Sequence, residues 1–226
     1  VQIYLFDDIL YFYKLISRCN LTKNNKSVQK KIGLFFGSFN PIHIGHLALA
    51  NYFLSFANLN EVWMMVSPQN PFKTKSSLLN FRQRFNLVYM ALEDHPTIKA
   101  SNFESKLPVP SYTSVTLAKL SEKYPNYEFN LIIGSDNLVG LKKWKNIEYL
   151  LDNFKFLVYP RETDNEQLEK IDSSLLEHSS IIFFEAPKIE ISSSFIRKSL
   201  KEKKDVTFFM PKIVSDYITD MKLYQN

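Results

Sequence analysis

Gly37-Ser38-Phe39-Asn40-Pro41-Ile42-His43-Ile44-Gly45-His46 is the stretch on which the fold turns. An apolar run, Lys31-Ile32-Gly33-Leu34-Phe35-Phe36, precedes it and reads as a buried strand. Leu47-Ala48-Leu49-Ala50-Asn51-Tyr52-Phe53-Leu54 follows and reads as a helix. A glycine-bearing loop with two histidines therefore lies where a strand hands over to a helix. In an open α/β sheet that crevice binds nucleotides, and a helix start offers unpaired N–H groups and a positive dipole end to phosphate. Gly37 can take a positive φ and lets backbone approach a ligand, and Pro41 stiffens the loop. His43 and His46 are three apart, so at the start of a helix they share one side and can address one ligand. A histidine pKa near ~6.5 lets a neighbouring anion favour the charged ring. Gly45, without a side chain, leaves room for adenine or ribose. The competing reading is a turn with two structural histidines. Two of the chain's four histidines at this spacing, after Gly and Pro, favour the phosphate reading.

The 226 residues are 45% hydrophobic, enough for one sizeable core. Apolar runs Glu61–Val66, Phe129–Ile133, Phe154–Tyr159 and Ile181–Phe184 read as strands. Between them Phe81–Leu92, Ser114–Lys123 and Glu166–Glu177 have helical composition. This alternation predicts an α/β fold: a Rossmann-like open, mostly parallel sheet with helices on both faces. Residues 1–29 read as an N-terminal extension or linker without a catalytic role, either a docking helix or an upstream start, and 30–226 as the catalytic domain.

A net charge of +5 suits phosphorylated ligands, but no Lys/Arg block makes a nucleic-acid surface. The single cysteine, Cys19, excludes a disulfide framework and cysteine zinc spacing, and suits a reducing, cytoplasmic setting. No apolar run reaches membrane-spanning length, so neither membrane nor nucleic acid is an expected partner. No protein metal site is expected.

Ile191-Ser192-Ser193-Ser194-Phe195-Ile196-Arg197 is the second phosphate candidate. Serine is a preferred N-cap, so a helix starts here with hydroxyls and free N–H groups toward an anion. Arg197, expected in the first turn, can grip two phosphate oxygens with its planar fork. Alone, the segment reads equally as a capped helix with a surface arginine. Gly134-Ser135-Asp136 ends a strand at the same sheet edge as Gly37, where Asp136 suits ribose hydroxyls or simply caps a helix.

G-S-F-N-P-I-H-I-G-H-L resembles the G-G-T/S-F-D-P-x-H-x-G-H-L signature of bacterial nucleotidyltransferases, whose HIGH motif is shared with class I aminoacyl-tRNA synthetases. Phe36 replaces the first Gly, and Asn40 replaces Asp, losing its charge. I-S-S-S-F-I-R resembles the motif closing the adenylyltransferase pattern; no K-M-S-K-S-type loop occurs, which argues against a synthetase. Four further segments resemble the nicotinate mononucleotide adenylyltransferase branch. They are Ser67–Lys73, with Phe72 for His; Arg84 with Leu87 and Ala91; Pro110–Leu117, with Val115 for Asp; and Leu131–Leu138 with Trp144 downstream. The resemblance covers Lys31 to about Leu223.

The resemblance implies transfer of the adenylyl group of ATP to nicotinate mononucleotide, giving nicotinate adenine dinucleotide and pyrophosphate. The implied catalytic residues are His43, His46 and Arg197. ATP would meet Gly37, Ser38, Phe39, Gly134, Ser135, Asp136, Ser193 and Ser194. The mononucleotide would meet Lys73, Tyr112, Thr113, Trp144 and Arg161: backbone N–H at Tyr112 and Thr113 for its carboxylate, and the Trp144 face for its pyridinium ring. Mg²⁺ is expected, bound mainly through the ATP phosphates. A sister enzyme using nicotinamide mononucleotide, an inactive nucleotide-binding regulator and a homo-oligomer remain open alternatives.

Overall fold

A computed structural model describes residues 30–68, 78–93, 95–161 and 171–225. Lys73 and the 1–29 segment lie outside the described residues.

Six strands form one sheet: β1 (Lys30–Gly37), β2 (Glu61–Val66), β3 (Ile98–Ser101), β4 (Tyr127–Gly134), β5 (Lys155–Tyr159) and β6 (Ile181–Phe183). Every pairing is parallel, and the order is β3-β2-β1-β4-β5-β6. This is the doubly wound arrangement whose ligand crevice opens where the order reverses, between β1 and β4. The expected Rossmann-like architecture is thus present, with all strands parallel.

The helices are α1 (Ile44–Phe56), α2 (Phe81–Leu92), α3 (Thr113–Lys123), α4 (Ile147–Asn153), α5 (Ser173–Leu176), α6 (Ser193–Lys201) and α7 (Lys212–Asp220). They cover both faces because successive side chains on a strand point to opposite sides. On β4, Ile132 belongs to one core with Phe53 of α1, Val88 of α2 and Val214 of α7. Its neighbours Leu131 and Ile133 pack with Leu117 of α3 and Leu150 of α4. Strands buried on both faces read as continuous apolar runs, which is why β1, β2 and β4 were legible. The expected helix over 166–177 is described only in its last part, as the single turn α5. β3 was not anticipated, since its four residues bury only Ile98.

Charged and polar ties hold both ends of the sheet. At the amino ends, buried Glu61 accepts from Lys30 Nζ of β1 (2.6 Å), Lys99 Nζ of β3 (2.6 Å) and the Trp63 indole (2.8 Å). Burial pushes the Glu61 pKa up, but these donors outweigh it and the net shift is down. At the carboxyl ends, Arg84 of α2 is fully buried. Its Nε donates to Leu79 O at 2.9 Å, Nη1 to Ser38 O at 2.7 Å and Ser67 O at 2.8 Å, and Nη2 to Pro68 O at 2.9 Å. One guanidinium therefore joins the loops after β1 and β2 to the approach to α2. Burial disfavours its charge, and the four carbonyl dipoles offset that cost.

Lysine has three donors on one atom and cannot span this fork. Arg84→Lys should lower the unfolding free energy by ~2–4 kcal/mol in a denaturant titration. A loss below ~0.5 kcal/mol, the scale of a surface substitution, would show that the arginine is not the tie described.

Candidate active site

β1 ends at Gly37, and its loop leads into α1 through His43, the N-cap, in extended conformation (φ −147°, ψ 168°). Gly37 is required by a close approach, not by the positive φ expected of it. A Cβ there would lie 2.7 Å from the Phe39 ring, and the left-handed residue is Phe39 itself (φ 45°). The Phe39 side chain is buried and meets Phe35 and His46 edge-on, so only its backbone is available to a ligand. Gly45 also differs from expectation. A Cβ there would meet Ile189 at 2.9 Å and the His43 ring at 3.1 Å, so protein, not adenine, fills that space.

The two histidines stand together as the spacing predicts. Their rings stack with centroids 3.6 Å apart and planes at 27°. The His43 backbone N–H donates to His46 Nδ1 at 3.3 Å. A neutral His46 that accepts at Nδ1 carries its proton on Nε2 and can donate from there. His43 is buried with its Nδ1 unpartnered. Burial, aided by the charge of Arg161, lowers its pKa to about 4. His43 is therefore set as a neutral hydrogen-bonding group until an anion arrives.

α6 closes the site from the other side. Ser192 is its N-cap, accepting from Phe195 N at 3.1 Å. The Ser193 hydroxyl donates to Pro41 O at 2.8 Å, and Arg197 Nη1 donates to Asn40 O at 2.8 Å. Arg197 Nη2 donates to Ser194 Oγ at 3.2 Å. Arg197 is the fifth residue of α6, beyond the first turn expected for it. Helical side chains lean toward the N-terminus, which brings its guanidinium back to Ser194 and the loop. Ser193 serves the loop through its hydroxyl, leaving its N–H at the helix start. Residues over 150 apart in sequence thus form one wall.

Across the switch point, β4 ends at Gly134 and Ser135–Lys143 continues as a 3₁₀ helix. Asp136 pairs with Arg161, beyond β5, at 3.2 Å, and the Ser135 hydroxyl accepts from Arg161 N at 3.0 Å. The structure therefore couples Asp136 and Arg161, two residues expected at different ligands. Tyr112 is the extended N-cap of α3 and Thr113 its first residue. Lys145, next to half-buried Trp144, sits 4.5 Å above the Tyr112 ring, bringing these two segments together. Behind this helix start, Ser114 is fully buried with its hydroxyl unpartnered. Glu104 is also buried and accepts from Thr116 Oγ1 at 2.8 Å. Burial raises the Glu104 pKa, with hydroxyls of Ser67, Thr116 and Ser111 pulling the other way.

Asn40 takes a definite role. Its buried Oδ1 accepts from Leu79 N at 3.2 Å and from Tyr224 Oη at 2.8 Å. Glu104 and Tyr224 are supports of this site that no sequence pattern singles out, whereas Arg84 enters through the family resemblance and is also a charge on the apolar stripe of α2 with Leu87 and Val88. Among the described residues no group of three His, Cys, Asp or Glu side chains could hold a metal ion, and no helix is long and apolar enough to cross a membrane.

The cytidylyltransferase-like family matches residues 34–199. The probable nicotinate-nucleotide adenylyltransferase of Flavobacterium johnsoniae is 49% identical over 195 residues, covering 86% of this chain and 99% of that protein. That of Christiangramia forsetii is 45% identical over 198 residues, covering 88% and 100%. The structure of Plasmodium falciparum nicotinic acid mononucleotide adenylyltransferase complexed with NaAD aligns with a TM-score of 0.69 at 24% identity, over 86% of this chain and 97% of that one.

The pKa of His43 gives a pH signature. Above about 6.5 the ring is neutral in folded and unfolded chains, so its ionisation contributes nothing. Between about 6.5 and about 4 only the unfolded chain takes up the proton, so stability is lost as pH falls. His43→Asn removes this. From pH 7 to pH 4 the wild type should lose up to ~3 kcal/mol more than the variant in denaturant titrations. Parallel losses would contradict a neutral, buried His43.

Proposed function

The chain belongs to the nicotinate-nucleotide adenylyltransferase family, within the cytidylyltransferase-like proteins, and from that premise we propose how its cleft works. The chain transfers the adenylyl group of ATP to nicotinate mononucleotide, releasing nicotinate adenine dinucleotide and pyrophosphate, in NAD biosynthesis. The observation that carries the reading is the docking of α6 on the histidine loop: Arg197 on Asn40 O and Ser193 on Pro41 O make a two-sided wall for a triphosphate.

The nucleophile, a phosphate monoester, is already an anion near neutral pH, since its second pKa is ~6. No general base is required, and catalysis is positioning plus charge stabilisation. In the proposed arrangement, backbone at Gly37, Ser38 and Phe39 lies along the nucleotide. His46 donates from Nε2 to oxygens at the α-phosphorus. His43 backs the His46 ring by stacking on it, and the triphosphate's charge favours protonation of His43. Arg197, oriented by Ser194, takes the leaving pyrophosphate with the N–H groups at the start of α6. Asp136, steadied by Arg161, receives ribose hydroxyls, with Gly134 and Ser135 beside it.

The acceptor's carboxylate meets the first N–H groups of α3 at Tyr112 and Thr113, which have no intrahelical partner. Trp144 offers a ring face to the pyridinium, an interaction of ~0.5–2 kcal/mol. Arg161 and Lys73 complete the proposed set. In the proposed arrangement Mg²⁺ would be carried by the ATP phosphates and water. Bound there, the ion would neutralise charge on the pyrophosphate. The proposed compartment is the cytoplasm, suited to a chain with a single cysteine.

The test is pyrophosphate release with Mg·ATP and each acceptor in turn. Nicotinate mononucleotide should react at least as fast as the amide. Release with phosphopantetheine alone, or none at all, contradicts the assignment. His46→Ala should lower kcat by about 10²–10³, the loss expected for one transition-state donor, while the protein stays folded. Normal turnover in folded His46→Ala would remove the mechanism.

A further inference from the structure

We propose that Tyr224 is a positioning residue for adenylyl transfer: its hydroxyl fixes Asn40, and through Asn40 the carbonyl that holds Arg197. The proposal rests on the reading of Arg197 as the pyrophosphate-binding group.

Asn40 joins three parts of the molecule. Its side-chain oxygen accepts two donors, Tyr224 Oη at 2.8 Å and Leu79 N at 3.2 Å. Its main-chain oxygen accepts from Arg197 Nη1 at 2.8 Å. An amide oxygen has two lone pairs, so these two donors fill the acceptor capacity of Oδ1. The residue is buried, and water is a poor substitute for a lost donor there. Phe39, just before it, is held at φ 45°, and Pro41, just after it, accepts from Ser193. Asn40 is thus the point at which the orientation of the loop carbonyls is set, and Arg197 is aimed by one of them.

The path of the chain end delivers the phenol to this point. After α7, Lys222 N bonds Thr219 O at 3.1 Å and Leu223 N bonds Ile218 O at 3.0 Å, closing the helix with Lys222 in the left-handed region (φ 49°). Leu223 is buried in the core that α7 shares with α1 and α2. Tyr224 is itself left-handed (φ 63°), a conformation that L-residues with side chains adopt at a steric cost. Its phenol lies within electrostatic reach of both Arg197 and Arg84, the cation that ties the β1 and β2 loops. Burial raises the phenol's pKa against the pull of those two cations, so it stays a neutral donor. Its proton goes to Asn40 while its oxygen faces positive charge. The segment after α7 is therefore tied to the histidine loop 184 residues earlier.

Tyr224→Phe keeps the ring and deletes the tie. Pyrophosphate release by the full chain is measured with Mg·ATP and nicotinate mononucleotide, below each variant's unfolding midpoint. The wild type is compared with Tyr224→Phe, Asn40→Ala and the double variant. Tyr224→Phe should lower kcat about tenfold, the scale of one buried hydrogen bond expressed in the transition state. KM for the mononucleotide should stay within about twofold, because the acceptor pocket lies across the cleft. Asn40→Ala should lower kcat at least as much, and adding Tyr224→Phe to it should lower it no further. Wild-type kcat in Tyr224→Phe, or losses that multiply in the double variant, would overturn the role of the hydroxyl. A wild-type chain that releases no pyrophosphate would overturn the assigned reaction, and this role with it.

Discussion

A buried guanidinium held by four backbone carbonyls is the constraint on which the cleft depends. Arg84 cannot shed its proton and cannot reach water, so its donors must be met by backbone. The carbonyls of Ser38, Ser67, Pro68 and Leu79 meet them. The loops that follow adjacent parallel strands would otherwise be the freest parts of such a fold. Here two of them are gathered on one planar fork. That arrangement keeps the Gly37–His46 loop in place beside the end of β4.

On this frame the charge balance of the site makes sense. The cleft holds two stacked imidazoles, that of His43 kept neutral by burial, an Arg197 anchored on a carbonyl and an Asp136 paired with Arg161. In the proposed arrangement a triphosphate would bring its own negative charge to donors already oriented, which is the condition for electrostatic stabilisation without reorganisation.

The legible parts of the molecule were those encoded over short stretches. β2 and α2 have the bounds that apolar runs and helical spacing implied, and His43 and His46 share one side as predicted. What stayed hidden was long-range or depended on close packing. The edge strand β3 carries too little apolar pattern to stand out. Gly37 and Gly45 are explained by the rings of Phe39 and His43, which no local pattern places against them. Asn40, legible only as a turn residue, has its purpose in Leu79 and Tyr224, 39 and 184 residues away. The bonds from Ser193 and Arg197 to the loop join motifs that the sequence shows only side by side in kind, not in space.

That joining is the central claim: the histidine loop and the start of α6 form one clamp for a triphosphate. Hydrogen–deuterium exchange with and without a non-hydrolysable ATP analogue tests it directly, because N–H groups at helix starts are unpaired until an anion meets them. Exchange should slow together in residues 37–47 and 192–198. Protection confined to one of these segments, or absent from both, would contradict the account.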